Sequence, residues 1–194
     1  MNTLDAIRTK RSVRRFTDGP VPEEVIRKIL NAGRRAQSSK NEQPWTFILI
    51  QDRERLKAVS ECGNYAGHIA GAAFAVILVD HNDWSFDIGQ VAAYLQLAAW
   101  DMGVSSCIAY FGLQDELKAL LGIPAEASAE IGLSFGYSAE EPHSLKKSGR
   151  KPLDEADAGG DSIESPDQVP RRPRSLGPRA ASHFLANYRA HERA

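Results

Sequence analysis

"KRSVRRF", residues 10–16, sets four cationic side chains around one serine and one aromatic, close to the start of the chain. The rest is near neutral: 24 Lys and Arg stand against 25 Asp and Glu over 194 residues, a formal net charge of −1. The charge is unevenly spread. Residues 1–35 hold nine basic against four acidic side chains, residues 36–143 five against fourteen, and residues 144–194 ten against seven. A fold that brings the two basic ends together makes a local cationic pocket, which suits a small anion better than a polyanion. Arginine offers a rigid fork of donors and serine a hydroxyl, the set that a phosphate monoester requires. Taken alone, the same cations also serve as a solvated face, with one or two paired to carboxylates elsewhere.

Length and composition bound the class. A 194-residue chain with 42% hydrophobic residues fills one full-sized core, so a single domain is expected. Cys62 and Cys107 are far apart and form no C-x-x-C, so both are read as reduced thiols. "MNTLDAIRTK" has no apolar region of the kind a signal peptide carries. The longest apolar run, "GAAFAVILV" at 71–79, falls below the roughly 18 residues of a membrane-spanning helix. A soluble cytoplasmic protein with no membrane partner is the expectation.

Hydrophobic periodicity outlines the elements. Thr3 caps a short helix to about Thr9, and the basic stretch follows it as a loop. "TDGPVPEE" is turn chemistry, with Pro22 opening a helix whose Val25, Ile26, Ile29, Leu30 and Gly33 share one face. "WTFILIQ" (45–51) reads as a buried strand, "RERLKAV" (53–59) as a helix and "AFAVILVD" (73–80) as a strand. A central Ala-rich helix covers 88–102. "SSCIAYF" (105–111) is a third strand, "QDELKALLG" (114–122) a helix stopped by Gly122, and "AEIGLSFGY" (129–137) a fourth strand. Beyond Tyr137 the chain turns polar. Residues 156–194 form a Pro- and Arg-rich arm, and "SHFLANYRAHE" (182–192) regains a helical pattern.

A second stretch bears on the first. "AQSSKNEQPWTF" (36–47) lines up hydroxyls, side-chain amides, a proline and a tryptophan, which suit the polar edge and flat face of a heterocycle. K-R-S-V-R-R-F, then S-S-x-N-x-Q-P-W, an Ala-rich helix, "DMGVSSCIAYF" and "GRKPLDE" together resemble the nitroreductase family of flavin enzymes over residues 3 to 155.

That resemblance implies an α+β fold with a central mixed sheet flanked by helices, in an intertwined homodimer with one FMN per subunit in interface clefts. It makes residues 1–155 the FMN-binding domain. By position, Lys10, Arg11, Ser12 and Arg14 match the segment that grips the phosphate and ribityl chain, joined by Arg150 and Lys151. Ser38, Ser39 and Asn41 match a segment given by the other subunit. Residues 107–112, with Ala109 and Tyr110 at their centre, match the strand end whose backbone approaches the flavin ring. Either Lys10 or Arg11 supplies a cation near the pyrimidine edge. The implied activity is hydride transfer from NADH or NADPH to a nitroaromatic, quinone or other small electron-poor acceptor, by a ping-pong scheme needing no catalytic side chain. The chain departs from the family pattern at Lys10 (usually Arg), Gln37 (usually Pro) and Ala73, where Ala-Pro often precedes the strand.

The same sequence admits other readings. A flavin-binding or flavin-modifying protein of this fold, without nicotinamide turnover, is the alternative. "GLSFG" (132–136) fits G-x-S-x-G, but no helix is expected after Ser134, so Ser134 is read as a strand residue whose glycines allow close packing. "PRRPRSLGPR" (170–179) supports at most non-specific contact with nucleic acid, and none is expected as a partner. His68, His81, His143, His183 and His191 are dispersed, and no metal is expected. Tyr65, Trp84, Tyr110 and Phe111 are candidate pocket walls that serve equally as core or surface.

Overall fold

The computed structural model describes residues 1–82, 85–140, 149–152 and 155. Two compact units divide at Lys147/Ser148, and every element below belongs to the first. Trp84, His143 and the 156–194 arm, with its arginines at 170–179 and its helical pattern at 182–192, lie outside the described residues.

The order is α1 (Thr3–Thr9), α2 (Glu23–Gly33), a 3₁₀ turn (Ser39–Asn41), β1 (Trp45–Ile50), α3 (Arg53–Ser60), a second 3₁₀ turn (Gly67–Ile69), β2 (Phe74–Asp80), α4 (Ser85–Asp101), β3 (Ser105–Tyr110), α5 (Gln114–Leu121) and β4 (Ser128–Gly136). The four strands form one sheet in the order β1-β2-β4-β3. Trp45 stands opposite Asp80, Phe74 opposite Phe135 and Cys107 opposite Ser134. Every pairing among these strands is antiparallel. The mixed character expected of the sheet enters through one parallel bridge, between Ser12 and Ser106 on the edge strand β3.

β2 is buried along all seven of its residues, which explains its unbroken apolar run: both its faces are covered. Phe74, Val76 and Leu78 point to one side, where Ile26 and Ile29 of α2 and Ile88, Val91, Leu95 and Ala99 of α4 complete a core. Ala75, Ile77 and Val79 point to the other, against Leu56 and Val59 of α3 and Leu117 of α5. The sheet is thus sandwiched between two helical layers, and the rings of Phe74 and Phe135 stack across the strand pair at 4.7 Å. The apolar stripe of α2 ends at Gly33 because a Cβ there would come within 2.5 Å of Leu95 Cδ2.

Three local expectations change. Asn2, not Thr3, caps α1, its side chain accepting the Asp5 N–H at 2.9 Å; the helix begins one residue after the cap, and Thr3 is already inside it. β1 is half-buried rather than buried, since it is a sheet edge in this chain and Thr46 is exposed. The basic stretch is not a free loop but an extended strip held to the sheet. Val13 N–H donates to Ser106 O at 3.0 Å, Thr17 N–H to Tyr137 O at 2.8 Å, and Ala139 N–H to Arg15 O at 3.0 Å. Alternation along the strip buries Val13 and turns Ser12 and Arg14 outward.

Candidate functional site

The strip divides its cations by task. Arg11 Nη1 donates to the carbonyls of Arg8, Thr9 and Lys10 at 3.1, 2.9 and 2.9 Å, closing the C-terminus of α1. Arg15 Nε donates to Glu140 Oε1 at 2.5 Å. Arg14, exposed between them, makes no hydrogen bond or ion pair among the described residues. It lines instead a cleft of about 600 Å³ with Tyr65, Gly67, His68 and Ile108, a size ordinary for a small-molecule site.

Of β3, Ile108 lines the cleft. Ile108 and Tyr110 are exposed, whereas the Ala109 side chain is buried in the core, which leaves Ala109 only its backbone to offer, the group expected to approach a ligand here. Phe111 is fully buried, against Gly132, where a Cβ would sit 2.7 Å from its ring. Tyr65 is 88% exposed. The loop bearing it packs tightly on the strand end, because a Cβ on Gly63 would lie 2.5 Å from Tyr110 O.

Behind the cleft wall runs a polar chain whose members are far apart in sequence, so no local spacing marks it. His68 Nδ1 lies 2.7 Å from Ser134 Oγ, a residue 66 positions away, and Ser134 Oγ donates to Cys107 O at 3.4 Å. Both bonds coexist in one proton arrangement: the serine hydrogen goes to the carbonyl, and its oxygen accepts from His68 Nδ1–H. Nε2 then carries the lone pair. It is buried and makes no hydrogen bond among the described residues. Burial pushes the His68 pKa below the ordinary histidine range, Arg14 pushes it further down, and the Ile108 backbone opposes them. Burial raises the Cys107 thiol, with Arg14 and Lys10 pulling it back. Ser134 is part of a continuous strand, and residues 137–140 directly after it are not helical, so the G-x-S-x-G spacing makes no nucleophile elbow.

Ser38, Ser39 and Asn41 lie elsewhere. Their loop holds three non-glycine residues in the left-handed region, Lys40, Asn41 and Gln43, at φ 50°, 58° and 51°, a concentration of strain typical of functional loops. Two contacts fix it. Ser38 Oγ accepts the Gln43 N–H at 2.9 Å, and the Ser39 backbone bonds the buried Asp87 in the first turn of α4. Burial holds the Asp87 carboxyl above the usual carboxylate range, while the Ser39 bond draws it down and Asp80 and Glu42 press it up.

The basic strip instead joins α4 near its other end, where Trp100 Nε1 donates to Thr9 Oγ1 at 3.0 Å and Gln96 Nε2 to Ser106 Oγ, beside Ser12, at 3.4 Å. From Asp87 to Gln96 and Trp100 the helix rises about 14 and 20 Å, at 1.5 Å per residue. The sheet separates them too, since the serine loop leads into β1 and the strip lies on β3, at opposite edges. Within one chain the two motifs do not meet. Arg150 and Lys151 are exposed residues of the second unit. Among the described residues no three His, Cys, Asp or Glu gather as a metal site, and no helix is long and apolar enough to cross a membrane.

The profile of the nitroreductase family matches residues 7–77 and 60–137. A protein of Methanothermobacter thermautotrophicus, provisionally named NADH dehydrogenase/NAD(P)H nitroreductase, is 31% identical over 153 residues, which is 73% of this chain and 80% of that one. The structure of an FMN-dependent nitroreductase from Clostridium difficile matches at a TM-score of 0.70 and 28% identity, over 78% of this chain and 94% of the other. A provisionally assigned nitroreductase of Desulfovibrio desulfuricans, solved in complex with FMN, matches at 0.69 and 28%, over 80% and 95%. The matched profile takes in the basic strip, the serine loop and all four strands of the sheet, and the chain belongs to the nitroreductase family.

Proposed function

We propose that the chain is an FMN-dependent oxidoreductase that draws hydride from NADH or NADPH and reduces a nitroaromatic, quinone or other small electron-poor acceptor, both substrates using one cleft in turn. The observation that carries this reading is the cleft itself: a guanidinium and a buried imidazole nitrogen that make no hydrogen bond among the described residues, beside an exposed strand edge, in a chain of this family. These residues fit FMN. In this reading Arg14, which lines the cleft, takes the phosphate and ribityl chain, with Lys10 and Ser12 beside it on the strip, while Arg11 holds the turn that presents them. Ile108 gives an apolar wall for a flat ring, with Tyr65 across the cleft. FMN supplies the hydride chemistry when bound, which leaves the protein to bind, orient and tune charge.

The separation of the serine loop from the strip supports a site shared by two copies. Ser38, Ser39 and Asn41 of one subunit then complete the cleft that the strip of the other opens. Exposed Leu4 and Ile7 on α1, 78% and 60% accessible, and Phe86 at 65% on α4 provide apolar surface for such a pairing.

Purified protein mixed with FMN under anaerobic conditions is expected to hold the yellow cofactor and to bleach on addition of NADH or NADPH. Failure to bind FMN at micromolar concentration overturns the reading. Bound colour that persists with both nicotinamides favours a flavin-binding protein without this turnover.

A further inference from the structure

His68 lines the cleft with one ring nitrogen tied down and the other, Nε2, buried without a hydrogen-bond partner among the described residues. Its ring is fixed from behind: Nδ1 is tied to Ser134 at 2.7 Å, and Ser134 in turn to the Cys107 carbonyl at 3.4 Å. The proton arrangement of that chain leaves the Nε2 lone pair buried and unsatisfied. A buried acceptor without a donor is costly, and such groups persist where a ligand or a proton completes them. The charged and titratable groups that surround the ring are Arg14 of the strip, Cys107 of β3, with Lys10 acting on the same thiol, and Tyr65 across the cleft.

We infer that His68 Nε2 is the proton store of the cleft, binding one proton when the bound cofactor is reduced and releasing it when the acceptor is reduced. The inference rests on the FMN reading above. In the empty cleft burial and Arg14 both keep the ring neutral. Negative charge gained by a ligand in the same cleft acts against both, and an opposite charge within a few ångströms raises the proton affinity of such a group about tenfold or more. The steps balance. Two electrons and one proton enter as the nicotinamide's hydride, and the nicotinamide leaves oxidised; one further proton comes from solvent and forms the Nε2–H bond. Reduction of a quinone-type acceptor takes a hydride and that proton, and Nε2 returns to its lone pair. Ser134 is a positioning residue, since accepting from Nδ1–H stabilises the doubly protonated ring.

The test is the midpoint potential of the FMN-loaded full chain, titrated from about pH 6 to pH 8.5. The native chain is expected to take up two protons per two electrons across neutral pH, which moves the reduction equilibrium a hundredfold per pH unit, about 59 mV for a two-electron couple. His68→Gln is expected to take up one, a tenfold change or about 30 mV per pH unit. Ser134→Ala, a small buried change with little risk to folding, is expected to keep two slopes but to shift the break between them to lower pH. A His68→Gln variant with the native slope, or a native chain with the one-proton slope throughout, overturns the inference while leaving FMN binding and nicotinamide bleaching intact. A chain that does not hold FMN overturns both.

Discussion

Arg14 and Arg11 are three residues apart on one strip, and the proposed site gives them different work, so exchanging each for methionine separates ligand binding from folding. Methionine keeps an apolar stem and removes the guanidinium. Among the described residues Arg14 has no hydrogen bond or ion pair to lose, and a charge-assisted hydrogen bond to a phosphate is worth about 1.5–3 kcal/mol. That corresponds to roughly a 10- to 150-fold rise in the FMN Kd, with the lower end expected at physiological salt because Arg14 is exposed. The melting temperature of Arg14→Met is expected to change by no more than about 1 °C, as for a surface substitution. Arg11→Met leaves the three carbonyls that close α1 without their donor. About 1–2 kcal/mol of stability is expected to go, or roughly 3–8 °C in Tm for a unit of this size, with a smaller effect on affinity. Isothermal titration with FMN and a thermal melt of each variant measure both quantities. An Arg14→Met protein that binds FMN within about twofold of the native chain, or an Arg11→Met protein of native Tm with the larger loss of affinity, refutes this division.

A mixing experiment tests the shared cleft: when Arg14→Met and Asn41→Ala chains are unfolded and refolded together, about a quarter of the sites regain both motifs if two copies build each site, and none do otherwise. Gly132→Ala pushes a methyl to 2.7 Å from Phe111 and 2.9 Å from Ile77 Cδ1, an overpacking expected to cost about 1–3 kcal/mol in chemical denaturation. Asp87, whose carboxyl is raised chiefly by burial, binds its proton more tightly folded than unfolded. Its contribution to stability is therefore complete below the ordinary aspartate pKa and is lost as pH rises through the folded value. Denaturation at several pH values is expected to show the native chain losing ground to Asp87→Asn over that window, and parallel curves would contradict it.

Much of this fold was open to reading along the chain, because its elements obey local rules. Pro22 opens α2, Gly122 ends α5 in the left-handed region at φ 67°, and the doubly buried β2 shows itself as seven apolar or sheltered residues in a row. What stayed hidden depends on partners distant in sequence. β1 has the composition of an interior strand, and only the strand order makes it an edge. The strip has loop composition, yet Ser106 and Tyr137 draw it onto the sheet. His68 looked like one of several scattered histidines and Ser134 like an ordinary strand serine. Their 2.7 Å contact exists because the Gly67–Ile69 turn folds over the junction of β3 and β4. A polar residue in the middle of an apolar strand, as Ser134 is between Leu133 and Phe135, is the one sign in the sequence that a buried partner was needed.

The placement of the two motifs along α4 has a consequence for ligand titrations. In a pair built as proposed, each α4 supports the strip of one cleft and, about 14–20 Å along its axis, the loop of the twin cleft. In that arrangement a displacement of α4 on filling the first cleft reaches the second, and cofactor uptake is expected to depart from a simple hyperbola; a single hyperbolic isotherm would show that the two ends of α4 are not coupled.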